Sequence, residues 1–376
     1  MRLLSLSCES FRNLDQVTVT PSQRTTIAVG ENGQGKTNLL EALYYLATLK
    51  PLRANTLKEL VQFGKGHARV EGRWLLNGAE RTIAVEVSHG TRSATVDGKR
   101  AASVESYFGG VSVVAFTPDD LSIVKGGPDG RRAFLDRSVF NRFPAYLQES
   151  REYAKALKSR NRLLKEDAPH SHLTVWNETL SRVGARLLVR RRALLTEVVP
   201  RAQAAFGSIG RIEAKASFVY EPSHLELDFA TASESDLQAA LSRALDVRLV
   251  RDLERGHTSV GPHVDDLDVS LGEHAARQYA SQGQSRALVI AWKVAEIENL
   301  NATNGFLPML LLDDVSSELD PERNAFLMKY LAESGAQTLL TTTDAELVRR
   351  AAGPETTWLS VRKGTVTASD AGALRR

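Results

Sequence analysis

A glycine-rich octapeptide constrains this chain more than any other feature of its sequence. It stands between a predicted strand, Thr25–Val29, and a predicted helix, Thr37–Leu49. Glycines allow backbone N–H groups to turn inward around phosphate groups, and a helix start adds the positive end of its dipole. We therefore predict that ATP binds here, with Lys36 on the β- and γ-phosphates and Thr37 holding Mg²⁺. The octapeptide consists of Gly30, Glu31, Asn32, Gly33, Gln34, Gly35, Lys36 and Thr37.

An apolar run that ends in two carboxylates is the expected partner of this loop. Met309–Leu312 predicts a buried strand, and Asp313 and Asp314 follow it directly. A buried strand can bring an acid to a nucleotide only at its end. We expect Asp313 to bind Mg²⁺ through water, and Asp314 to orient the attacking water or accept its proton. Lys36 and Asp314 are thus the expected catalytic residues.

A third group of polar residues opens a predicted helix, Ser285–Leu300. A serine at a helix start is usually an N-cap, so this group alone identifies no function. It gains meaning beside Ser316–Asp320, which reads Ser-Ser-Glu-Leu-Asp directly after the two aspartates. The group consists of Ser281, Gln282, Gly283 and Gln284.

The chain changes its pattern twice along its length. The first third reads as α/β, and Asn77-Gly78, His89-Gly90 and Asp97-Gly98 predict tight turns in a small antiparallel layer. In the middle, apolar residues at helical spacing predict arms of roughly 20 to 35 residues, with a turn at Glu166–Ser171. We predict an α/β domain built from residues 1–120 plus 271–376 and interrupted by a largely helical insertion, 121–270.

Composition excludes several classes of protein. The chain has 376 residues, of which 42% are hydrophobic, so it can bury a large core. Its longest apolar runs, such as Phe306–Leu312, are much shorter than the roughly 20 residues of a membrane helix. Cys8 is the only cysteine, which excludes an internal disulfide and a cysteine-rich zinc site. We expect a cytoplasmic protein that makes no contact with a membrane.

The order of these motifs resembles that of ABC-type ATPases, the class that includes SMC and Rad-type DNA-repair heads. Within that class the chain is similar to the bacterial RecF family over essentially its whole length. The resemblance implies an α/β fold, an ABC/SMC-type P-loop ATPase head with a small antiparallel β layer and an inserted helical lobe II arm. The stretches that carry it further are Ser10–Leu14, Phe116–Leu121, Lys125–Pro128, Arg131–Arg132, Phe134–Asp136, Gly261–His263, Asp265–Leu267 and Thr341–Asp344.

The resemblance also implies a function in DNA replication, recombinational repair and the SOS response. RecF-like proteins bind single-stranded or gapped DNA, dimerise on ATP, and help to load RecA together with RecO and RecR. By similarity, Ser281–Gln284 would contact the γ-phosphate bound at the loop of a second copy. ATP would then join two heads, and hydrolysis would release them. Arg12 and Asn13 would lie near the nucleotide.

Three departures from related ATPases modify these expectations. Transporter-type members usually carry glutamate where this chain has Asp314, and histidine at the position that we align with Thr343. A shorter acid and a missing imidazole predict slow hydrolysis that suits a switch, and the resemblance implies a weak ATPase that DNA stimulates. RecF proteins commonly have a Ser-His-Arg run where this chain reads Pro51-Leu52-Arg53, so only Arg53 carries over.

The segment Leu121–Arg201 has about twice as many Lys and Arg as Asp and Glu. The excess is compatible with solvated helix faces, and also with non-specific contacts to DNA phosphates that salt would weaken. We see no helix-turn-helix, zinc finger or dense aromatic platform, so base-specific reading is not expected. Arg131, Arg132 and Arg190–Arg192 are the candidate DNA contacts.

Two other classes of protein remain open on the sequence alone. A small-molecule kinase would use the helical insertion as a lid, and Ser281–Gln284 and Ser317–Asp320 would be accidental. The ATPase subunit of a membrane transporter would require a coupling surface and fast hydrolysis. Its helical insertion is normally shorter, and its switch histidine is normally present.

Overall fold

The structure is a computed structural model, which describes residues 1–54, 56–166, 169–209 and 214–370. The chain forms two compact units. Unit 1 contains Met1–Asp120 and the described parts of Ser208–Arg211 and Lys293–Arg376; unit 2 contains Leu121–Gly207 and the described part of Ile212–Trp292. The assignment of residues 271–292 to the ATPase domain stays a prediction. Among the described helices, none is long and apolar enough to span a membrane.

Unit 1 begins with an antiparallel sheet, as the turn dipeptides predict. Its six strands lie in the order β2-β1-β4-β5-β6-β7. At Asn77-Gly78, φ is 50° and 81°, the pair of positive values that a two-residue hairpin requires. The elements in this part are β1 (Arg2–Phe11), β2 (Leu14–Val19), β3 (Thr25–Val29), α1 (Lys36–Thr48), β4 (His67–Leu76), β5 (Ala79–Ser88), β6 (Thr91–Val96), β7 (Lys99–Arg100), α2 (Val104–Phe108) and β8 (Val113–Phe116).

Unit 2 is mainly helical and carries a three-stranded antiparallel sheet in the order β11-β10-β9. One helix is longer than the predicted arms, with 40 residues and Pro200 inside it. The predicted turn Glu166–Ser171 includes residues 167 and 168, which lie outside the described residues. The elements are α3 (Ser122–Lys125), α4 (Pro128–Arg142), α5 (Tyr146–Lys165), α6 (His170–Ile209), β9 (Ala216–Glu221), α7 (Glu234–Val247), α8 (Leu249–Arg255), β10 (Asp266–Leu271), β11 (His274–Ala275) and α9 (Ala276–Tyr279).

A second sheet of unit 1 combines strands from both ends of the chain. Its order is β15-β14-β3-β13-β12-β8, and all neighbours are parallel except β15 with β14. The remaining elements are α10 (Gln282–Asn304), β12 (Met309–Asp313), α11 (Val315–Glu318), α12 (Pro321–Ser334), β13 (Thr338–Thr342), β14 (Thr357–Arg362) and β15 (Thr365–Ser369).

The parallel sheet positions the predicted phosphate loop and the predicted acids. The residues of β3 and β12 are all buried, which explains the continuous apolar run Met309–Leu312 of β12. Since parallel strands end at the same edge, the loop after β3 and the carboxylates at the end of β12 meet there. Only β13 lies between the two strands.

Candidate nucleotide-binding site

The loop after β3 borders a cavity of about 390 Å³. Residues from the loop, from the end of β12 and from the segment after α1 line it. Three members of the predicted octapeptide, Gly30, Glu31 and Gln34, do not line the cavity. The carbonyls of Gly30 and Glu31 accept from Lys36, and Oε1 of Gln34 accepts from the backbone N–H of Lys363. The lining residues are Asn32, Gly33, Gly35, Lys36, Thr37, Asn38, Arg53, Pro118, Asp313, Asp314 and Glu318.

Two glycines of the loop are required by close approach. Gly35 has φ of 116°, and a Cβ atom there would lie 2.7 Å from Oδ1 of Asn13. A Cβ atom on Gly30 would collide with the backbone oxygen of Val361. A side chain at Gly30 would displace the loop from β14, and one at Gly35 would strain the left-handed backbone and push the Asn13 amide aside.

Lys36 is buried at the start of α1, with 5% of its surface exposed. Its Nζ donates to the carbonyl oxygens of Gly30, at 2.6 Å, and Glu31, at 2.9 Å. Burial lowers the pKa of Lys36, and the negative charges of Asp314 and Asp313 act in the opposite direction. The ammonium group therefore lies inside the loop, beside two carboxylates.

Oxygen ligands suited to Mg²⁺ converge on Asp313. Thr37 donates through Oγ1 to Oδ1 of Asp313 at 2.8 Å, and Thr341 donates to the same oxygen at 3.0 Å. The other oxygen, Oδ2, accepts from Nη2 of Arg53 at 2.8 Å. Hydroxyl and carboxylate oxygens are the ligands that Mg²⁺ prefers, so Thr37 and Asp313 fit that ion. Among the described residues, no group of three or more His, Cys, Asp or Glu side chains is arranged so that it could hold a metal ion by itself.

Asp314 has two unusual properties at the edge of the same cavity. Its backbone is left-handed, with φ of 50°, a costly conformation for a residue with a side chain. Its Oδ1 is buried and has no hydrogen-bond partner among the described residues. Burial raises the pKa of Asp314, although the charge of Lys36 opposes the shift. A buried, unpaired carboxylate oxygen beside a cation fits a site for water or Mg²⁺.

Glu41 is a buried carboxylate that the sequence reasoning missed. Its Oε2 accepts from Nε of Arg12 at 2.9 Å. Its Oε1 accepts from three consecutive backbone N–H groups, those of Leu52 at 3.1 Å, Arg53 at 2.9 Å and Ala54 at 3.3 Å. The sequence does mark this residue, since Glu41 is the one charged residue in the otherwise apolar run Leu39–Leu46. An acid buried in such a run requires polar partners, which indicates a structural or functional role.

The predicted residues Arg12 and Asn13 both lie beside the loop. Asn13 donates from Nδ2 to the backbone oxygen of Gln34 at 3.2 Å and accepts from Nδ2 of Asn38 at 2.8 Å. Arg12 reaches the site through Glu41. Direct contact of either residue with a nucleotide stays a prediction.

The predicted Ser281–Gln284 group opens α10, in unit 2. The backbone N–H of Gln284 donates to Oγ of Ser281 at 3.1 Å, and Oε1 of Gln284 accepts from the backbone N–H of Ser281 at 2.8 Å. This reciprocal pair is a capping box. Ser281 and Gln282 are exposed, so the amino end of the helix is available to a ligand.

The structure corrects part of the list of candidate DNA contacts. Arg131 is buried against Asp266, and Arg191 is 3% exposed and paired with Asp136, so both were wrong as surface contacts. Arg190 makes two bonds to Glu149, while Arg132 and Arg192 bind backbone carbonyls in their own unit. These five arginines make contacts within unit 2.

Comparison with known proteins identifies the family. The family model for the RecF/RecN/SMC N terminal domain matches residues 2–367. The DNA replication and repair protein RecF of Myxococcus xanthus is 67% identical over 368 residues, which cover 97% of each chain. RecF of Geobacter sulfurreducens is 38% identical, over 98% of this chain and 100% of that protein. The chain belongs to the RecF family.

Solved structures agree with this membership. The recombination mediator protein RecF with ATPrS, in the RecFOR pathway, has a TM-score of 0.88 and 29% identity, covering 98% of both chains. The corresponding RecF structure with ATP has a TM-score of 0.87 and 29% identity, also over 98% of both. An SMC head bound to the winged-helix domain of ScpA, 15% identical with a TM-score of 0.57, shares the fold. The predicted ABC/SMC-type head is therefore confirmed.

Proposed function

We propose that this chain is an ATP-dependent DNA-binding protein of DNA replication and recombinational repair. The observation that carries the proposal is the convergence of Lys36, Thr37, Asp313 and Asp314 on one cavity. The names of the similar proteins support it, since they describe DNA replication and repair proteins, and two solved RecF structures are described with ATP or ATPrS.

Each residue of the cavity then has a defined task. Lys36 exchanges the carbonyls of Gly30 and Glu31 for the β- and γ-phosphate oxygens. Thr37 and Asp313 hold Mg²⁺, which neutralises charge on the phosphate oxygens when bound. Asp314 orients the attacking water and accepts its proton, and its raised pKa brings it nearer to the range of an effective base.

Slow hydrolysis suits a switch. An aspartate reaches less far than a glutamate, and Thr343 offers no imidazole. We therefore infer a weak ATPase, and membership of the RecF family supports the further proposal that DNA stimulates it. A turnover comparable to that of transporter ATPases would contradict this inference.

ATP joins two copies in this proposal. The exposed amino end of α10, with Ser281–Gln284, faces the γ-phosphate held by the loop of the second copy. A helix amino terminus stabilises an anion through its free N–H groups and its dipole. Because that stabilisation disappears with the γ-phosphate, hydrolysis separates the copies.

The proposed partners follow from family membership. They are single-stranded and gapped DNA, bound without base specificity, together with RecR, RecO and RecA. Loading of RecA and support of the SOS response are the cellular consequences.

The size of the particle in solution tests the proposal. Light scattering should show a monomer with ADP and a dimer with ATP and Mg²⁺. Lys36→Met should abolish pairing because it removes the positive charge that binds the phosphates. Ser281→Arg should abolish it because the larger side chain blocks the surface that faces the second copy. The matched control is Ser233→Arg, because Ser233 caps α7 with the same type of capping box; this variant should still pair.

Two results would contradict the proposal. Pairing of Ser281→Arg with ATP would exclude contact of this helix start with the nucleotide of the second copy. Phosphorylation of a small acceptor by a monomer would favour the kinase alternative.

A further inference from the structure

Five cations form a continuous row on one face of α5. They recur at intervals of three and four residues, which places them within an arc of about 80° and along about 21 Å of helix. All five are exposed. We call this row the basic stripe; its members are Arg151, Lys155, Lys158, Arg162 and Lys165.

The remainder of α5 fixes this face toward solvent. Tyr153, Ala156 and Leu164 are buried on the opposite side, so the helix cannot turn the stripe inward without losing that packing. Arg160, also on the buried side, is paired with Asp252.

The acids of α5 do not neutralise the stripe. Glu149 pairs with Arg190 and Glu152 with Arg182, both of which belong to α6. Among the described residues, the ion pair that involves the stripe joins Arg162 to Glu166 at 3.8 Å, and both side chains are exposed; such pairs stabilise little. No acidic side chain of the described residues forms an ion pair with Arg151, Lys155 or Lys158.

We propose that the basic stripe binds the sugar-phosphate backbone of nucleic acid. This proposal rests on the DNA binding proposed above and assigns it a surface. Duplex DNA presents one phosphate per about 3.4 Å along each strand, so a row of about 21 Å faces roughly six base-pair steps. Exposed, flexible cations suit phosphate contacts, which carry no sequence information.

The surroundings favour nucleic acid over a membrane surface. A helix that lies on a lipid bilayer inserts an exposed apolar face beside its cations. In α5 that face is buried in the protein, against the rest of unit 2. An acidic protein partner is the remaining alternative, and the experiment below separates it.

The salt dependence of DNA binding tests the stripe. The full-length chain with ATP and Mg²⁺ is titrated with a 30-base-pair duplex at several salt concentrations. Each phosphate contact contributes about 0.9 to the slope of log K against log salt. We expect the triple variant Arg151→Gln, Lys155→Gln, Lys158→Gln to lower that slope by about 2 to 3, equally for duplexes of different sequence.

A control of equal charge separates contact from net charge. Lys215, Arg243 and Arg251 are exposed cations of unit 2 outside the stripe. The triple variant that changes these three residues to Gln should show the same salt slope as the wild type. Equal slopes for the stripe variant and the wild type would overturn the proposal while DNA binding itself stands, and would point to an acidic protein. Absence of duplex binding by the wild type would overturn both proposals. Thermal melting confirms that each variant is folded.

Discussion

At the scale of single residues, Glu41 sets the positions of two arginines at the nucleotide site. One carboxylate oxygen holds the guanidinium of Arg12, and the other holds the backbone that carries Arg53. Arg53 in turn reaches Asp313. Displacement of such a group by about 1 Å can slow a reaction on the order of 100-fold.

We therefore expect Glu41→Gln to slow ATP hydrolysis about tenfold or more while the affinity for ATP changes little. The amide cannot serve both arginine sites, because it offers only one acceptor oxygen. In the background of Arg53→Ala, the same change should have much less effect, since the two residues act as one unit. Single-turnover hydrolysis and nucleotide titration measure the two quantities.

A purely structural role of Glu41 predicts a different result. Its effect would then add fully to that of Arg53→Ala. Glu296→Gln is the matched control, because Glu296 is also a buried carboxylate of unit 1 and pairs with Lys293. It should lower thermal stability without a selective loss of turnover.

Predictability at this scale depends on how local the cause is. The sequence placed Lys36, Thr37 and Asp313 beside a strand end, because a motif and its flanking periodicity are local. The structure brings these side chains to one cavity. Their roles toward ATP and Mg²⁺ stay predictions. The three backbone bonds of Glu41 depend on the path of the segment after α1, which no local pattern specifies.

At the scale of elements, Lys125 stabilises the short helix that precedes the exposed start of α10. Its Nζ donates to the backbone oxygens of Ala280 at 2.6 Å, Arg277 at 3.2 Å and Ala276 at 3.4 Å. A cation at the carbonyl end of a helix satisfies groups that otherwise lack partners. This contact gives a structural reason for the lysine of the Lys125–Pro128 stretch.

We expect Lys125→Met to weaken ATP-driven pairing about tenfold or more, since a charge-assisted hydrogen bond contributes about 1.5–3 kcal/mol. ATP binding by the separate chain should be unchanged, because the phosphate loop is intact. Light scattering over a range of protein concentrations measures the pairing. Lys215→Met, an exposed lysine of the same unit, is the control; a similar loss there would contradict the assignment.

Elements with periodic sequences were predicted well, and tertiary adjustments were not. The three hairpin dipeptides each form a turn with two positive φ values, because the turn chemistry resides in those residues. The length of α6 exceeded the prediction. A proline inside a long helix ordinarily ends it, but α6 continues through Pro200, with Val198 and Ala202 buried on either side.

At the scale of the whole molecule, the stability of the chain in acid depends on a buried polar network in unit 2. His263 lies between Oη of Tyr153, 2.8 Å from Nδ1, and the backbone oxygen of Thr258, 3.0 Å from Nε2. Burial lowers the pKa of His263 from 6.5 to about 4. Burial also raises the pKa of Asp265 from 3.8 to about 6.

The two shifts act in opposite directions. Because the pKa of His263 is lowered, its stabilising contribution is present above pH 6.5 and is lost as the pH falls toward 4. Asp265 favours the folded state as the pH falls from about 6 to 3.8, because the folded chain binds its proton more tightly. The pH profile of the wild type is therefore flattened in this range.

Removal of the His263 imidazole shows how much this group contributes to the pH dependence of stability. We expect His263→Gln to be less stable than the wild type at pH 7. The difference in the free energy of unfolding should shrink by up to about 3 kcal/mol by pH 4, because one pKa unit corresponds to about 1.4 kcal/mol. Urea unfolding across this pH range measures the difference. The control is His172→Gln, at an exposed histidine, and its stability difference from the wild type should not change with pH. If the difference for His263→Gln were equally independent of pH, the assignment would be contradicted.

The interleaving of distant segments in the parallel sheet has a consequence for synthesis of the chain. β3 emerges early from the ribosome, but both of its neighbours, β13 and β14, belong to the far end of the polypeptide. Until those strands are made, β3 has two unpaired edges, a state that is prone to aggregation and slow to resolve. Translation that stops before residue 338 thus leaves a fragment without a completed nucleotide cradle, and such fragments are substrates for chaperones and proteases.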